Sequence, residues 1–344
     1  MRALVVESPR SVSLVERDEP TAGQGEVLVA PMIAGICGTD LELIDGSIDP
    51  AYVHYPLILG HEWVGEIMGD VPGVARRGDR VVVEGVIPCG KCDECQRGDT
   101  NRCQTYGEIG FTRPGAIAER IAVPTNLVHR LEPSVDPADA ALIEPMAVVW
   151  RALTRLPIGR DIRVAIIGDG TIALSAAYLV RLFEPSSIVM IGRRAEQRHL
   201  AALAGATEFV TSTPTSSFDL VIEAAGNVDA TATALRISAR GAMVILLGLP
   251  AHGTTIEIAP DHVVNNDLII QGSFSYTRSS WAQVVERVNT GELKPSFLIT
   301  HRFEFSDALD AVGALRGGIE SNQPRGKVAI FFNDIGHPNV DFHR

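Results

Sequence analysis

The hydrophobic pattern of the first part of the chain is that of short strands. From Met1 to about Pro145, apolar runs such as EVLVAPMIAGI, WVGEIMG, DRVVVEGV and AIAERIAVP are broken repeatedly by glycine and proline. Short aliphatic and β-branched runs between turn residues are typical of strands. The pattern therefore predicts a mostly β domain, built as a partly closed barrel.

After about Pro145 the pattern changes to strands that alternate with helices. The segment IRVAIIGDGTIALSAAYLVRLF predicts a buried strand, a glycine turn and an apolar helix. The segments SIVMIG, FDLVIEAAG and AMVILLGL follow, separated by helical patterns that include one from about Asp229 to Ala239. This alternation predicts a parallel sheet with helices on both faces.

The last part of the chain does not continue the alternation. Helical patterns in WAQVVERVNTG and FSDALDAVGALRGG follow from about Trp281, and the closing NDIGHPNVDFHR is polar. Because this segment does not continue the alternation of strands and helices cleanly, we expect it to return to the first domain and to end in a polar tail.

Composition limits the possible partners. The chain has 344 residues, 46% of them hydrophobic and 21% charged, which is ordinary for a folded protein with two cores. The formal charge of −12 disfavours a nucleic-acid partner, because contacts to phosphate backbones need a basic surface. No apolar run reaches the roughly 18 residues of a membrane span, and an acidic residue interrupts the place of a signal-peptide core. We therefore expect no membrane partner and a cytoplasmic location.

Four of the five cysteines form one compact motif. They are Cys89, Cys92, Cys95 and Cys103, in the segment IPCGKCDECQRGDTNRC. Four closely spaced thiolates in a polar loop suit a closed, tetrahedral structural zinc site. Two disulfides or a redox-active pair are the alternatives, and a reducing compartment disfavours them.

The fifth cysteine predicts a second metal site. Cys37 stands in GICGTD, and His61 is followed directly by Glu62 in LGHEWVG. One thiolate, one imidazole and spare carboxylates suit an open catalytic zinc site, where the metal lowers the pKa of a bound hydroxyl towards neutrality. The alternative is that Cys37 is a small buried hydrophobe and His61 a hydrogen-bonded core residue.

A dinucleotide-binding turn is predicted at the start of the second domain. Gly168, Gly170 and Ala173 give the pattern G-x-G-x-x-A between a buried strand and an apolar helix. The first glycine permits the tight turn, the second lets the backbone approach a pyrophosphate, and the small third residue lets the helix pack on the strand. A plain strand-to-helix connection is the alternative.

The end of the next strand favours NADP over NAD. NAD-binding proteins place a carboxylate there to bind the ribose hydroxyls, but Gly192 stands at that position, followed by Arg193 and Arg194 and then by Arg198. Guanidinium groups suit the extra phosphate of NADP. The alternative is that these arginines only decorate an exposed helix start.

In this order, the motifs resemble those of the zinc-dependent medium-chain dehydrogenases and reductases, in the branch of the alcohol, polyol, sugar and threonine dehydrogenases. The resemblance implies an α/β protein with a GroES-like β-barrel catalytic domain and a doubly wound parallel Rossmann domain. We place the catalytic domain with both zincs at residues 1–147, the NADP-binding domain at residues 148–278 and the return segment at residues 279–344. A homodimer or homotetramer is also implied.

The resemblance further implies roles for single residues. Cys37 and His61 match the first two catalytic zinc ligands, and either Glu62 or Glu144 completes the zinc shell, directly or through water. Asp40 matches the carboxylate that holds the histidine ring. Two further matches are Thr39, at the place of the hydroxyl that receives the substrate proton, and Lys327, at the place of a basic residue near the cofactor. Glu42 replaces the histidine that often passes the proton onward.

These assignments predict an oxidoreductase with two zinc ions per chain that transfers hydride between a hydroxyl or carbonyl substrate and NADP(H). The polar residues Tyr52, His54, Tyr55, Glu108 and Arg113 around the expected pocket favour polyols, sugars, cyclitols or amino alcohols. A zinc-free quinone or enoyl reductase is disfavoured by the metal motifs. A non-catalytic NADPH-binding or structural protein of the same fold is the alternative from another class.

Overall fold

The chain forms two compact units. The structure, a computed structural model, describes residues 1–317 and 323–332. Within these ranges, unit 1 comprises residues 1–144, 277–317 and 327–332, and unit 2 comprises residues 145–276 and 323–326. The predicted polar tail, residues 333–344, lies outside the described residues.

The strands carry most of the buried aliphatic residues. In chain order they are β1 Arg2–Ser8, β2 Ser11–Glu16, β3 Glu26–Ile36, β4 Leu57–Ile58, β5 Glu62–Ile67, β6 Arg80–Val83, β7 Val86–Ile87, β8 Gly107–Glu108, β9 Ile121–Pro124, β10 Val128–Arg130, β11 Arg163–Ile167, β12 Ser187–Ile191, β13 Glu208–Val210, β14 Phe218–Glu223, β15 Ser238–Leu246, β16 Ile269–Gly272, β17 Ile299–Glu304 and β18 Lys327–Phe331.

The helices are mostly short. They are α1 Gly38–Asp45, α2 Asp93–Gln96, α3 Pro137–Ala140, α4 Ile143–Thr154, α5 Thr171–Val180, α6 Arg198–Leu203, α7 Val228–Arg236, α8 Pro260–Asn265, α9 Arg278–Asn289 and α10 Ala308–Leu315. The helix predicted to run to Ala239 therefore ends at Arg236, and Ser238 already begins β15, because the strand must pair with β14 from Phe218 onward.

Unit 1 is organised around the long strand β3. Its first half pairs with β9, and its second half lies between β5 and β18 in antiparallel register. The whole sheet has the order β10-β6-β5-β3-β18-β17, and a second sheet has the order β2-β1-β4. The aliphatic faces of these sheets share one core with Trp63 and Phe332, and each fully buried aliphatic side chain contributes about 1.5–3 kcal/mol.

A buried carboxylate fixes the point where the chain returns to unit 1. Glu84 is 1% exposed and accepts hydrogen bonds from His129 at 2.8 Å and from the Arg278 guanidinium at 3.2 Å. The backbone N–H of Arg278 donates to the Thr100 hydroxyl at 3.1 Å. Since Arg278 is the first residue of α9, these contacts tie that helix to the β structure of unit 1.

Unit 2 is a parallel sheet of the order β13-β12-β11-β14-β15-β16. All of its strand pairs are parallel, and the order reverses between β11 and β14, as in a doubly wound sheet. Helix α5 packs on β11, β12 and β14, and α7 packs on β14 and β15. The predicted parallel sheet is therefore confirmed.

The turn from β11 into α5 depends on two glycines with different geometries. Gly168 has a φ of +129°, and a Cβ there would lie 3.0 Å from the carbonyl group of Ala224. Gly170 is the N-cap of α5 with a φ of −90°, and a Cβ there would meet nothing within 4 Å. Gly168 is thus required by the fold, whereas the space at Gly170 is open.

Among the described residues, none of the helices is both long and apolar enough to pass through a membrane.

We predict that Gly168→Ala destabilises unit 2 by about 1–3 kcal/mol, because the substituted residue is strained at this φ and its methyl group meets the Ala224 backbone. Gly170→Ala in the same turn is the matched control and should change the stability by less than about 1 kcal/mol. Urea unfolding followed by fluorescence measures both. Equal destabilisation by the two variants would contradict the distinction between the two glycines.

Candidate metal and nucleotide sites

Cys37, Thr39 and Asp40 lie at the junction of β3 and α1. Cys37 directly follows the last residue of β3 and is the N-cap of α1. Its backbone N–H donates to the Asp40 carboxylate at 2.8 Å, and Asp40 is fully buried. The Cys37 thiol lies 3.8 Å from the Thr39 hydroxyl. The local turn therefore presents a thiol and a hydroxyl side by side.

His61 lies against the same aspartate. Its Nδ1 is 3.5 Å from Asp40 Oδ1, and its ring packs on Phe111 with the centroids 5.2 Å apart. Neither of these two buried polar atoms has a hydrogen-bond partner among the described residues. Burial alone would lower the pKa of His61, but the Asp40 carboxylate and Cys37 raise it well above its ordinary value. The Asp40 carboxylate therefore lies opposite Nδ1, which is the usual arrangement around a metal-binding imidazole.

Glu62 and Lys327 form a buried ion pair. They are the first residues of β5 and β18, the two strands that flank β3. The Lys327 ammonium donates to the Glu62 carboxylate and to the carbonyl oxygen of Ile36, and the two side chains are 2% and 1% exposed. Burial alone would lower the pKa of Lys327, but Glu62 and Cys37 raise it.

Glu144, near the start of α4, faces the same charges. Burial and the neighbouring Glu62 raise the pKa of Glu144 to about 8, although His61 and Lys327 act in the opposite direction. In the absence of a metal, these surroundings therefore favour the protonated form of Glu144.

Three of the predicted catalytic-zinc ligands meet. One ligand atom from each of Cys37, His61 and Glu62 lies within 4.8 Å of the other two. Among the described residues, Glu144 does not belong to a group with this spacing. A sulfur, a nitrogen and an oxygen donor are a set that zinc accepts in an open site. The unpartnered polar atoms of His61 and Asp40 fit a histidine whose other ring nitrogen binds a metal.

The four-cysteine lobe closes around one point. Each thiol has its sulfur within 4.8 Å of the other three, and Cys89 Sγ lies 4.0 Å from Cys95 Sγ. No disulfide links the four. The backbone N–H groups of Lys91 and Cys92 lower the pKa of Cys89 to about 6, which favours the thiolate that zinc requires. The geometry fits a tetrahedral ion rather than the alternative of two disulfides.

The dinucleotide turn of unit 2 contains an acidic residue that is hydrogen-bonded to the residues after β12. The Asp169 carboxylate accepts the backbone N–H groups of Arg193 and Arg194, at 2.9 and 3.0 Å. Burial would raise the pKa of Asp169, but the Arg194 guanidinium and these N–H groups lower it below its ordinary value. Its charge is therefore already compensated by its neighbours.

The other predicted cofactor residues lie in different surroundings. Ala173 is fully buried in α5, and Gly192 directly follows β12. Arg198 is the first residue of α6, and its guanidinium donates to the carbonyl oxygen of Phe209 at 2.7 Å. The Lys327 ammonium is bound within unit 1, to Glu62, so its predicted contact with the cofactor stays a prediction.

Two functional candidates had little or no signal in the sequence. Glu108 was assigned only to a polar pocket wall, yet burial raises the pKa of Glu108 to about 7 while the charge of His61 acts against this. Gln197 is fully buried and donates to the carbonyl oxygens of Asp169 and Arg325. The pattern around Gln197 gives no hint of this, since Arg325 lies far along the chain.

Two family models match the chain. Residues 23–133 match the alcohol dehydrogenase GroES-like domain, and residues 170–290 match the zinc-binding dehydrogenase family. Among curated relatives, L-threonine 3-dehydrogenase of Streptomyces coelicolor is 31% identical over 92% of this chain and 98% of its own length. Sorbitol dehydrogenase of Bacillus subtilis is 29% identical over 91% of this chain and 92% of its own length.

Solved structures give the same result. A zinc-binding dehydrogenase from Sinorhizobium meliloti, bound to NADP, has a TM-score of 0.88 and 28% identity, and covers 96% of this chain and 99% of its own. The RspB alcohol dehydrogenase of Escherichia coli, complexed with NADH, has a TM-score of 0.88 and 27% identity at the same coverage. The predicted fold class, a GroES-like domain joined to a Rossmann domain, is confirmed.

We predict that Lys327→Ala destabilises unit 1 by about 3–5 kcal/mol, because it leaves the Glu62 carboxylate buried and uncompensated. Combining Lys327→Met with Glu62→Gln removes both charges and should recover most of the loss. Urea unfolding of the zinc-free protein measures both effects. If the double variant is as unstable as the single one, the ion pair does not control the stability of this site.

Proposed function

This chain belongs to the zinc-dependent medium-chain dehydrogenase/reductase family and is a dehydrogenase acting on CH–OH groups, and from this premise we propose its substrate class, cofactor and metal content. The proposed reaction transfers hydride between NADP(H) and a polyol, sugar, cyclitol or amino alcohol. The same residues serve the oxidation of the alcohol and the reverse reduction of the carbonyl compound.

The observation that carries the proposal is the convergence of Cys37, His61 and Glu62. Their ligand atoms lie within 4.8 Å of one another, and the unpartnered Nδ1 of His61 faces Asp40. Zinc held by these residues supplies a Lewis acid that polarises a hydroxyl or carbonyl oxygen. Because Glu62 meets the spacing for a ligand and Glu144 does not, we propose Glu62 as the carboxylate ligand.

The remaining residues of the site hold and move charge. Asp40 orients the His61 ring and makes the ring nitrogen that would bind the metal a stronger donor. Thr39, whose hydroxyl lies beside the Cys37 thiol, relays the substrate proton: it takes up that proton and releases its own hydroxyl proton to water as the hydride leaves the carbon. Lys327 fixes the Glu62 carboxylate at the start of its strand and compensates its charge.

The four-cysteine lobe supports a second zinc with a structural role. Its four sulfurs fill a tetrahedral shell and leave no position for substrate. We therefore propose two zinc ions per chain, one in each site.

Polar groups near His61 support a polar substrate. Burial, Glu108 and Tyr52 raise the pKa of Tyr106 to about 12, so these three residues lie close enough to affect one another. The charge of His61 in turn acts on Glu108. Hydroxyl and carboxyl groups at this place suit substrates with several hydroxyl or amino groups better than long aliphatic alcohols.

The assignment of the cofactor rests on the end of β12. Gly192 stands where NAD-binding proteins carry a carboxylate, and the charge of the adjacent Asp169 is already compensated by Arg194. Arg193, whose backbone N–H binds Asp169, and Arg325, whose charge interacts with those of Arg194 and Asp169, add positive charge nearby. This arrangement supports NADP rather than NAD. We also propose that unit 1 is the catalytic domain and unit 2 the NADP-binding domain.

An exposed sheet edge supports a homo-oligomer. In the described part of the chain, β16 pairs with β15 alone, and its residues Ile269 and Ile270 are 47% and 39% exposed. Leu249 and Val264, also in unit 2, are more than two-thirds exposed. An unpaired edge with apolar side chains favours pairing with a second copy. We propose a homodimer or homotetramer joined at this edge.

The function is tested by turnover and metal content together. Zinc-replete protein should bind about two zinc ions per chain and reduce NADP faster than NAD with members of a panel of polyols, aldoses, cyclitols and amino alcohols. Cys37→Ser should lose one zinc and all turnover but remain folded, because it removes a ligand of the open site. Cys103→Ser is the matched control and should lose the other zinc and loosen its loop.

Retention of two zinc ions without turnover of any alcohol or carbonyl in the panel would favour the non-catalytic alternative. If Cys37→Ser unfolds the protein, Cys37 is a core residue and not a metal ligand.

For the oligomer, we predict that Ile270→Lys shifts the protein towards monomers, because it places a charge on the unpaired edge. Light scattering during gel filtration measures the mass. Leu309→Lys, at a 46% exposed position in α10 of unit 1, is the control and should leave the mass unchanged. An oligomer that persists in Ile270→Lys would contradict this interface.

A further inference from the structure

The three arginines at the end of β12 have different partners, although the sequence gives them one role. Arg194 is held by Asp169, since its Nη2 donates to Asp169 Oδ1 and to the Asp169 carbonyl oxygen, both at 3.0 Å. Its side chain is 27% exposed. The Arg194 guanidinium is therefore engaged with the glycine turn before any ligand arrives.

Arg198 is engaged with β13. Its Nη1 donates to the Phe209 carbonyl oxygen at 2.7 Å, and its guanidinium carbon lies 5.8 Å from the centroid of the Phe209 ring. These contacts direct the Arg198 side chain to the neighbouring strand.

Arg193 is fixed by its backbone alone. Its N–H donates to Asp169 Oδ2 at 2.9 Å, and the residue is exposed. Within residues 1–317 and 323–332, its guanidinium makes no hydrogen bond or ion pair. All five guanidinium donors of Arg193 therefore remain available to a ligand.

The space at Gly192 is closed to any side chain. A Cβ there would lie 2.6 Å from the Phe209 ring and 2.7 Å from the Asp169 Cβ. A carboxylate that would bind ribose hydroxyls cannot stand at this position without displacing Asp169.

A fully buried glutamine links this region to a distant segment. Gln197 donates to the carbonyl oxygens of Asp169 and Arg325 and accepts the backbone N–H of Arg325 at 2.7 Å. The charge of Arg325 is thereby placed near Arg194. Burial and the positive charge of Arg194 lower the pKa of Arg325, while Asp169 acts in the opposite direction. The surplus of positive charge favours an anion at this place.

We propose that Arg193 is the side chain that recognises the 2′-phosphate of NADP, and that Asp169, Arg194 and Gln197 are positioning residues. We call these three residues the latch. The latch holds the glycine turn against the end of β12 and fixes the backbone from which Arg193 extends. This inference rests on the proposed preference for NADP and narrows it to one arginine.

These roles predict two distinct losses of cofactor affinity, one from removing Arg193 and one from removing a latch residue. Removing Arg193 takes away donors that only the 2′-phosphate uses, so NADPH binding suffers and NADH binding does not. Removing Arg194 leaves the Asp169 carboxylate uncompensated beside the turn, where it repels the pyrophosphate that both cofactors share. Replacing Asp169 with Asn as well removes that repulsion and keeps an acceptor for the backbone N–H groups.

The test is calorimetric titration of the zinc-replete full chain with NADPH and with NADH. We expect Arg193→Ala to raise the Kd for NADPH by at least about tenfold and to leave the Kd for NADH within about twofold. Arg194→Ala should raise both by a similar factor, and Asp169→Asn combined with Arg194→Ala should recover both. Arg198→Ala should leave the ratio of the two constants unchanged.

A second probe separates the phosphate from the rest of the cofactor. Adenosine 2′,5′-bisphosphate should lose affinity in Arg193→Ala, whereas adenosine 5′-monophosphate should not. Arg160→Ala, which removes a 75% exposed arginine of unit 2, is the matched control for loss of charge. Circular dichroism establishes that each variant is folded, and Arg194→Lys replaces Arg194→Ala if the latter is not.

The outcomes separate this inference from the proposed function. If Arg194→Ala or Arg198→Ala changes the NADPH to NADH ratio more than Arg193→Ala does, or if the double variant recovers nothing, the assignment of roles is overturned. If the wild-type chain binds neither dinucleotide, the proposed function itself fails. If it binds both equally and Arg193→Ala changes neither, the preference for NADP and the role of Arg193 fail together, while the dehydrogenase function stands.

Discussion

The buried ion pair between Glu62 and Lys327 is the interaction on which the proposed metal site depends. The two residues begin the strands on either side of β3, and β3 itself ends directly before Cys37. The pair therefore fixes the relative positions of three strand ends, and with them the positions of Glu62, His61 and Cys37. A charge pair buried this deeply stabilises a structure only while both partners are present, so the site and the fold of unit 1 are maintained by the same contact.

In the nucleotide turn, too, a fixed partner compensates the charge of a carboxylate. Asp169 is a carboxylate in the glycine turn, where a negative charge would oppose the pyrophosphate of the proposed cofactor. Arg194 and two backbone N–H groups compensate this charge. In both sites the charge of the carboxylate would be unfavourable alone. Once a fixed cation compensates its charge, the carboxylate holds neighbouring residues in place. The difference is that Glu62 is also the carboxylate that we propose as a metal ligand, whereas Asp169 acts only through its neighbours.

The proposed function depends on where the two sheets place these charged clusters. The parallel sheet with the order β13-β12-β11-β14-β15-β16 brings the glycine turn and the end of β12 together, because neighbouring parallel strands end at the same edge. The antiparallel sheet of unit 1 brings Cys37 and His61 together from separate strand ends. The polar substrate class that we propose rests on groups such as Glu108, whose pKa is raised by burial.

The sequence alone determined what is local along the chain. The four cysteines lie within a single loop, and the glycine turn lies between its own strand and helix, so their spacing was sufficient to predict a metal lobe and a nucleotide turn. The alternation of strands and helices also predicted the parallel sheet, because a buried strand must be fully apolar. Only the tertiary structure decided that Lys327 pairs with Glu62 and that Gln197 binds the segment at Arg325. These partners are far apart in the chain, and whether a buried charge finds a partner depends on sheet register, which no local pattern contains.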